Sequence, residues 1–304
     1  MNIEKINKSF LFYNIEQYCY TKEYYLYIIN LIKKILLNNN LYLNIILGNY
    51  NYNYNFENNY KNIIININYE HTLVKSGGRS CNNDPQGSVK VIDSKNEENY
   101  LVRIVDFDIL NNSDVVIDYS IPNIINIHEC NLFNNLYDKC VYIAPLLYEL
   151  YIIKDNRNIN CLTTFINIEE PRRKKLLIDI NSNNIEHINI NNCFDTESLG
   201  NLYKKTKIMI NIHQTDYHHT FEELRVLPAL LNGIIIICED SPLKESIIYN
   251  KFVIWSNYDN IIQTIKDVEN NYDFYWNNIF NNNELNTIIE IMEKNNYQDL
   301  EKKF

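Results

Sequence analysis

Between about residues 150 and 270 the chain alternates short apolar runs with longer amphipathic stretches. The runs Cys161–Phe165, His187–Ile190, Lys207–Asn211, Ile234–Cys238 and Phe252–Trp255 predict strands. The segments between them, Pro171–Ile180, Thr196–Tyr203, Thr220–Asn232, Pro242–Tyr249 and Asp259–Val268, predict helices. Strict alternation of this kind implies a parallel, doubly wound sheet. The segment Tyr272–Phe304 reads as one or two terminal helices.

The first half alternates less regularly. Ser9–Tyr13, Leu41–Leu47 and Asn62–Tyr69 are strand-like. Glu23–Leu37 carries Tyr24, Leu26, Ile29, Leu31, Ile32 and Ile35 at spacings that make a buried helix face. The Asn/Tyr tract Asn49–Asn59 reads as a low-complexity loop. Three of the six glycines, Gly77, Gly78 and Gly87, fall in Glu70–Gly87 with Ser, Asp and Pro, which predicts a long loop of the kind that carries function. Strands are expected again at Tyr100–Val105, Asp114–Asp118 and Cys140–Ala144, with an interdomain connection at Pro145.

A length of 304 residues exceeds what a single core usually serves and favours two α/β domains. The abundance of Asn, Ile and Tyr follows an AT-rich coding bias, so single Asn and Ile positions carry little information. Net charge is −10, and no Lys/Arg block is long enough to neutralise a phosphate backbone, which argues against nucleic acid as a partner. Seven cysteines stand at wide spacings with no C-x-x-C pair, the pattern of reduced thiols in a cytoplasmic protein. No leader segment and no bilayer-spanning apolar run is expected.

In an open parallel sheet ligands bind beyond the carboxyl ends of the strands. The residues there are polar: Glu70 and His71 after Asn62–Tyr69, and Asp118, Tyr119, Ser120 and Asn123 after Asp114–Val116. Arg172 and Arg173 follow Cys161–Phe165, His213 follows Lys207–Asn211, and Glu239 and Asp240 end Ile234–Cys238. On the helix Thr220–Asn232, Thr220 suits the N-cap, Glu222 and Glu223 the first turn, and Gly233 the position just past its end. Leu224, Leu227 and Leu231 share the face expected on the sheet, whereas Glu222, Arg225, Ala229 and Asn232 share another. That second stripe reads either as the border of a phosphate and ribose site, with Arg225 on a diphosphate, or as an exposed Glu222–Arg225 pair on an ordinary surface helix.

Four segments in order carry a resemblance. Glu222-x-x-Arg225, Ala-Leu-x-Asn-Gly233 and Cys238-Glu239-Asp240-Ser241 form the first, and Phe165 to Arg172-Arg173 the second. Asp118-Tyr-Ser120-Ile-Pro-Asn123 and Asn68-Tyr-Glu70-His71 complete them. Together they resemble GT-B glycosyltransferases of bacteria and large DNA viruses over roughly residues 62–260. The resemblance implies two Rossmann-like, doubly wound domains facing an interdomain cleft: an acceptor-side domain 1–149, a nucleotide-sugar-binding domain 150–271 and a helical tail 272–304. It implies sugar transfer from a nucleotide-sugar to a glycan or glycoprotein, with retention, and without a metal or other cofactor. The chain departs from the family at Thr220 and Pro228, where an E-x7-E pair is usual, and at Ile166-Asn167, where a glycine is usual. A catalytically silent relative that binds a nucleotide, glycan or protein is the alternative.

Under that resemblance the donor site is Arg172, Arg173, His213, Glu222, Arg225 and Glu239, with the arginines and helix amides stabilising the departing diphosphate. Glu70 or His71 acts as base on the acceptor, and Arg79, Asp118, Ser120 and Asn123 lie on the acceptor side. Other readings stand beside these. Arg172 and Arg173 fit a solvated basic helix start equally well, Asp118 fits a strand-end cap for Ser120, and His218-His219 fits a solvated loop. Lys75-Ser-Gly-Gly-Arg79 lacks the Gly-Lys-Ser/Thr of a phosphate loop and is expected to be an acceptor-side flap. The absence of G-x-G-x-x-G argues against a dinucleotide-dependent enzyme.

Overall fold

The computed structural model describes residues 2–17, 21–48, 59–68, 72–75, 88–93, 98–103, 107–130, 134–192, 195–214 and 221–304, with side chains apart from residues 72–107 and 134. The chain divides into two compact units, residues 1–144 with 293–304, and residues 145–292. Both are mixed α/β with parallel sheets.

In the first unit, β1 (Asn2–Ile6) and β2 (Ser9–Tyr13) pair antiparallel. Helix α1 (Lys22–Asn38) leads to β3 (Leu43–Leu47) and β4 (Lys61–Asn68). A three-stranded antiparallel sheet follows, built from β5 (Thr72–Lys75), β6 (Ser88–Asp93) and β7 (Glu98–Arg103) in the order β5-β7-β6. Then come α2 (Phe107–Asn111), β8 (Val115–Asp118), α3 (Ile121–Glu129), α4 (Asn134–Tyr137) and β9 (Cys140–Tyr142). The main sheet runs β1-β2-β3-β4-β8-β9 and is parallel from β2 onward. Its order follows the chain without reversal. Strands β3 and β8 are buried along their whole length, as parallel strands covered on both faces must be. Tyr24, Ile29, Leu31, Ile32 and Ile35 of α1 are buried as their spacing predicts, with Ile28 taking a core place that Leu26 does not.

One expectation for this half fails: Thr72–Lys75 is a strand, so Glu70–Gly87 is not one long loop. The strand expected at Tyr100–Val105 is present as β7, in the small antiparallel sheet. The Gly, Ser, Asp and Pro residues of this region punctuate antiparallel strands that are themselves rich in Val and Leu.

The second unit contains β10 (Ile159–Thr163), α5 (Pro171–Ser182), β11 (His187–Asn189), α6 (Thr196–Tyr203) and β12 (Thr206–Asn211). It continues with α7 (Glu223–Leu231), β13 (Ile235–Glu239), β14 (Val253–Ser256), α8 (Ile261–Asn270) and α9 (Tyr272–Phe280). The last helix, α10 (Glu284–Glu301), belongs partly to each unit. All pairings are parallel in the order β11-β10-β12-β13-β14, so strand order reverses between β10 and β12. The expected helix Pro242–Tyr249 is absent. Only a single 3-10 turn forms at Lys244–Ser246, because Leu243 takes a left-handed φ of 60°, which an α-helix cannot contain.

Arg157, 6% exposed, ties this unit together. Its guanidinium donates to the carbonyls of Ile153, Tyr203, Thr206 and Asn232, satisfying groups left over at the ends of α6 and α7. Cys130, Cys161 and Cys238 are buried free thiols and Cys140 is half-buried. Among the described residues no helix is long and apolar enough to cross a membrane.

Candidate functional site

Strand order reverses between β10 and β12, and open α/β sheets bind ligands at the carboxyl ends of strands at such a reversal. What stands there follows from local geometry. Beyond β10, the backbone of Phe165 is held on both sides by the Asn189 side chain, whose Oδ1 accepts from Phe165 N (2.9 Å) and whose Nδ2 donates to Phe165 O (3.1 Å). Proline at the first position of α5 then starts the helix that carries Arg172 and Arg173.

The two arginines face different partners. Arg172 lies over the Tyr258 ring at 4.3 Å, and its Nη2 is 2.5 Å from Glu239 Oε1. The other oxygen of Glu239 accepts from the backbone N–H of His213 at 2.9 Å, so the end of β13 holds the segment after β12. His213 Nε2 lies 3.0 Å from the carbonyl of Asp240 and donates to it, which fixes the ring's tautomer.

Arg173 is 2% exposed and sits 4.8 Å over the Phe165 ring. Burial pulls its pKa down, Glu222 opposes that and Arg225 adds to it, but a guanidinium stays charged throughout the working range. Among the described residues its Nε and Nη2 have no hydrogen-bond partner. Glu222 bridges the arginines unevenly, with Oε2 2.6 Å from Arg225 Nη1 and Oε1 3.8 Å from Arg173 Nη2. The Glu222–Arg225 contact is an ion pair by distance yet lies off hydrogen-bond alignment, so Arg225 Nη1 is also unpartnered. Thr164 Oγ1, just past β10, and Asn211 Oδ1, at the end of β12, are likewise buried without partners among the described residues. Orphaned buried polar groups are rare, and these stand at or just past the carboxyl ends of β10 and β12 and on the helices α5 and α7.

The six residues expected at a donor site therefore fall into two linked pairings on adjacent elements. Arg172 and Glu239 meet with His213, and Arg173 and Arg225 meet through Glu222. The expectation for the helix is only partly met. Helix α7 starts at Glu223, Glu222 makes no capping hydrogen bond, Thr220 lies outside the described residues, and Ala229 and Asn232 are buried. Asn232 donates to Pro228 O and accepts from Arg157, so that end of the stripe borders no open site.

Asp118, Ser120 and Asn123 are all buried in the first unit, with Asp118 1% exposed. Asp118 accepts from Asn68 Nδ2 (2.8 Å), Asn123 Nδ2 (2.6 Å) and Ser120 N (2.8 Å), while Ser120 Oγ caps α3 by accepting from Asn123 N (3.3 Å). Burial pushes the carboxyl up to about 6 against the pull of those hydrogen bonds. This is a strand-to-helix joint locked by a carboxylate, the capping reading of Asp118. Glu70, His71, Arg79 and His218-His219 lie outside the described residues.

Sequence reasoning passed over Asn189, although it ends a strand, because Asn is too common here to stand out. Glu223, expected only as a first-turn acid, is fully buried and accepts from Tyr249 Oη at 2.9 Å. The expectation of a metal-independent site rests partly on there being no Asp-x-Asp triplet, yet the sequence contains Asp106-Phe-Asp108; Asp106 lies outside the described residues and Asp108 is exposed. Among the described residues no group of three His, Cys, Asp or Glu side chains is placed to hold a metal.

Fold and site together define a mixed α/β protein with a parallel-sheet unit carrying a partly buried arginine–glutamate cluster at its strand-order reversal. No family model matches the chain. A protein of Acanthamoeba polyphaga mimivirus, itself described as uncharacterized, is 36% identical over 175 residues, covering 56% of this chain and 59% of that protein. The chain therefore spans about three-fifths of the length of that relative.

Proposed function

We propose that the chain is a glycosyltransferase of the GT-B type whose second unit binds the diphosphate of a nucleotide-sugar. The reading rests chiefly on Arg173, a guanidinium 2% exposed with two nitrogens unpartnered, beside Arg172 and Arg225 at the reversal of strand order. A buried cation without a full set of acceptors is costly, and a phosphate group supplies the missing ones. The start of α7, where Glu222 and Arg225 stand, adds the partial positive charge of a helix N-terminus.

In the transfer, the bond from the anomeric carbon to the diphosphate oxygen breaks and one from that carbon to the acceptor oxygen forms. The acceptor proton passes to a base, for which Glu70 and His71 are the candidates, and the arginines hold the charge left on the nucleoside diphosphate. No metal is assigned a role, and a glycan or glycoprotein is the expected acceptor.

A thermal-shift series with nucleoside diphosphates and their sugars, followed by a transfer assay with the best binder, tests the reading. A bound donor raises the midpoint by mass action, and Arg225→Ala is expected to abolish the rise. No shift with any donor at millimolar concentration would sink the proposal. A second reading, binding without transfer, is favoured by Thr220 and Pro228 standing where the resemblance expects acids. Turnover of any donor rejects it.

A further inference from the structure

We propose that Glu222 is an intramolecular counter-anion, occupying Arg173 and Arg225 in the empty protein and displaced when a phosphate group enters. The inference rests on the donor-site reading and adds to it which carboxylate yields.

The two glutamates of the cluster are held very differently. Glu239 uses both oxygens, one on Arg172 and one on the His213 amide, and is 8% exposed, so it is a fixed part of the frame. The Glu222 side chain is 31% exposed, does not cap α7, and has one oxygen 3.8 Å from Arg173, beyond hydrogen-bond reach. It has solvent to swing into and little to hold it except charge.

That charge is needed while the site is empty. Arg225 opposes the charged form of Arg173 and Glu222 favours it, so the carboxylate screens two guanidiniums from each other in a poorly hydrated place. An incoming phosphate group performs the same screening with more oxygens and better geometry. Glu222 and the ligand therefore compete for one position. Removing the carboxylate should weaken the empty protein and strengthen anion binding, a pairing of effects that a purely structural glutamate does not produce.

The experiment is calorimetric titration of inorganic pyrophosphate into the full chain at low salt and pH 7, with the ligand-free thermal midpoint recorded for each variant. Glu222→Gln is expected to lower the midpoint and to bind pyrophosphate about tenfold more tightly than wild type. Unchanged or weaker binding by a folded Glu222→Gln overturns the inference and leaves the donor-site reading standing. If neither wild type nor Glu222→Gln binds pyrophosphate or any nucleoside diphosphate, the anion site itself falls, and the donor-site reading with it. Should the single change prevent folding, Arg225→Lys, which keeps a cation in the site, is compared with Arg225→Lys carrying Glu222→Gln. The doubly changed chain is expected to bind more tightly, and equal or weaker binding counts against the displacement of Glu222.

Discussion

Arg173 Nη2 stops 3.8 Å from Glu222 Oε1, while the other oxygen of the same carboxylate lies 2.6 Å from Arg225 Nη1. One carboxylate is thus shared between two guanidiniums and satisfies the more buried of them less well. A protein selected only for stability has no reason to keep this arrangement, since an apolar side chain of similar length fills the space over Phe165 without leaving donors unpaired.

Arg173→Met is accordingly expected to be neutral or stabilising by about 1–2 kcal/mol, because it removes an incompletely paired buried charge and keeps the volume. The same change is expected to remove the thermal shift produced by nucleoside diphosphates. Chemical denaturation and the shift series, run on one preparation, check both halves. A destabilised variant that still binds would place Arg173 in the scaffold.

Asp118→Asn is expected to destabilise the first unit by about 2–4 kcal/mol. Asp118 gathers the amides of Asn68 and Asn123 and the backbone N–H of Ser120 on two acceptor oxygens. An amide in its place turns one acceptor into a donor facing donors, which leaves buried groups unsatisfied. The Arg173 site belongs to the other unit, so pyrophosphate binding should persist wherever that unit remains folded.

How much of this was legible follows from what each signal depends on. Apolar runs report burial on both faces, so β10, β12 and β13 were readable to within a residue or two, and Gly233 marked the end of α7 because it takes a φ of 71°. The rule that ligands gather beyond strand ends picked Arg172, Arg173, His213 and Glu239 without any knowledge of their partners. Pairing was invisible: nothing in the spacing says that Arg172 meets Glu239 while Arg173 meets Glu222. Nor did local pattern show that Thr72–Lys75 and Glu98–Arg103 pair antiparallel outside the main sheet, since strand direction is a tertiary property. Leu243 carried no warning either, because a left-handed leucine is sustained by its surroundings and not by propensity.

Gly233→Ala is expected to cost about 2 kcal/mol or more. A Cβ there would lie 2.7 Å from Arg157 Nη2 and 3.0 Å from the Tyr151 carbonyl, on a backbone already left-handed. The left-handed conformation alone costs roughly 1–2 kcal/mol for a non-glycine residue, and the clash falls on the guanidinium that binds Asn232 O at 2.6 Å. Arg157 cannot retreat without releasing that carbonyl, so the damage should spread to the ends of α6 and α7. Urea denaturation of the purified variant gives the number, and a change within 0.5 kcal/mol of wild type would mean that Arg157 relaxes freely.

The two units should respond to acid in opposite directions. Burial holds His187, whose Nε2 lies 2.8 Å from Thr163 Oγ1, down to about 4 from a usual value near 6.5. Thr163 donates its own hydroxyl proton to Asn189, so His187 Nε2 is the donor to Thr163, a bond that either ring form can make, and burial is what disfavours the charged ring. The unfolded chain protonates His187 first, so this contribution is complete above pH 6.5 and is lost as pH falls toward 4. Asp118 has the opposite sign. Its folded value near 6 exceeds the usual 3.8, so the folded state takes up the proton first. Its contribution is complete below pH 3.8 and is lost as pH rises through 6. At about 1.4 kcal/mol per pKa unit each effect reaches at most about 3 kcal/mol. Amide hydrogen exchange at pH 6.5 and 4.5, corrected for the intrinsic rate, should show β10 and β11 losing protection in acid while β8 and α3 gain it relative to them. His187→Gln should flatten the first response and leave the second. If β10 and β11 keep their protection at pH 4.5, His187 is not held neutral by burial.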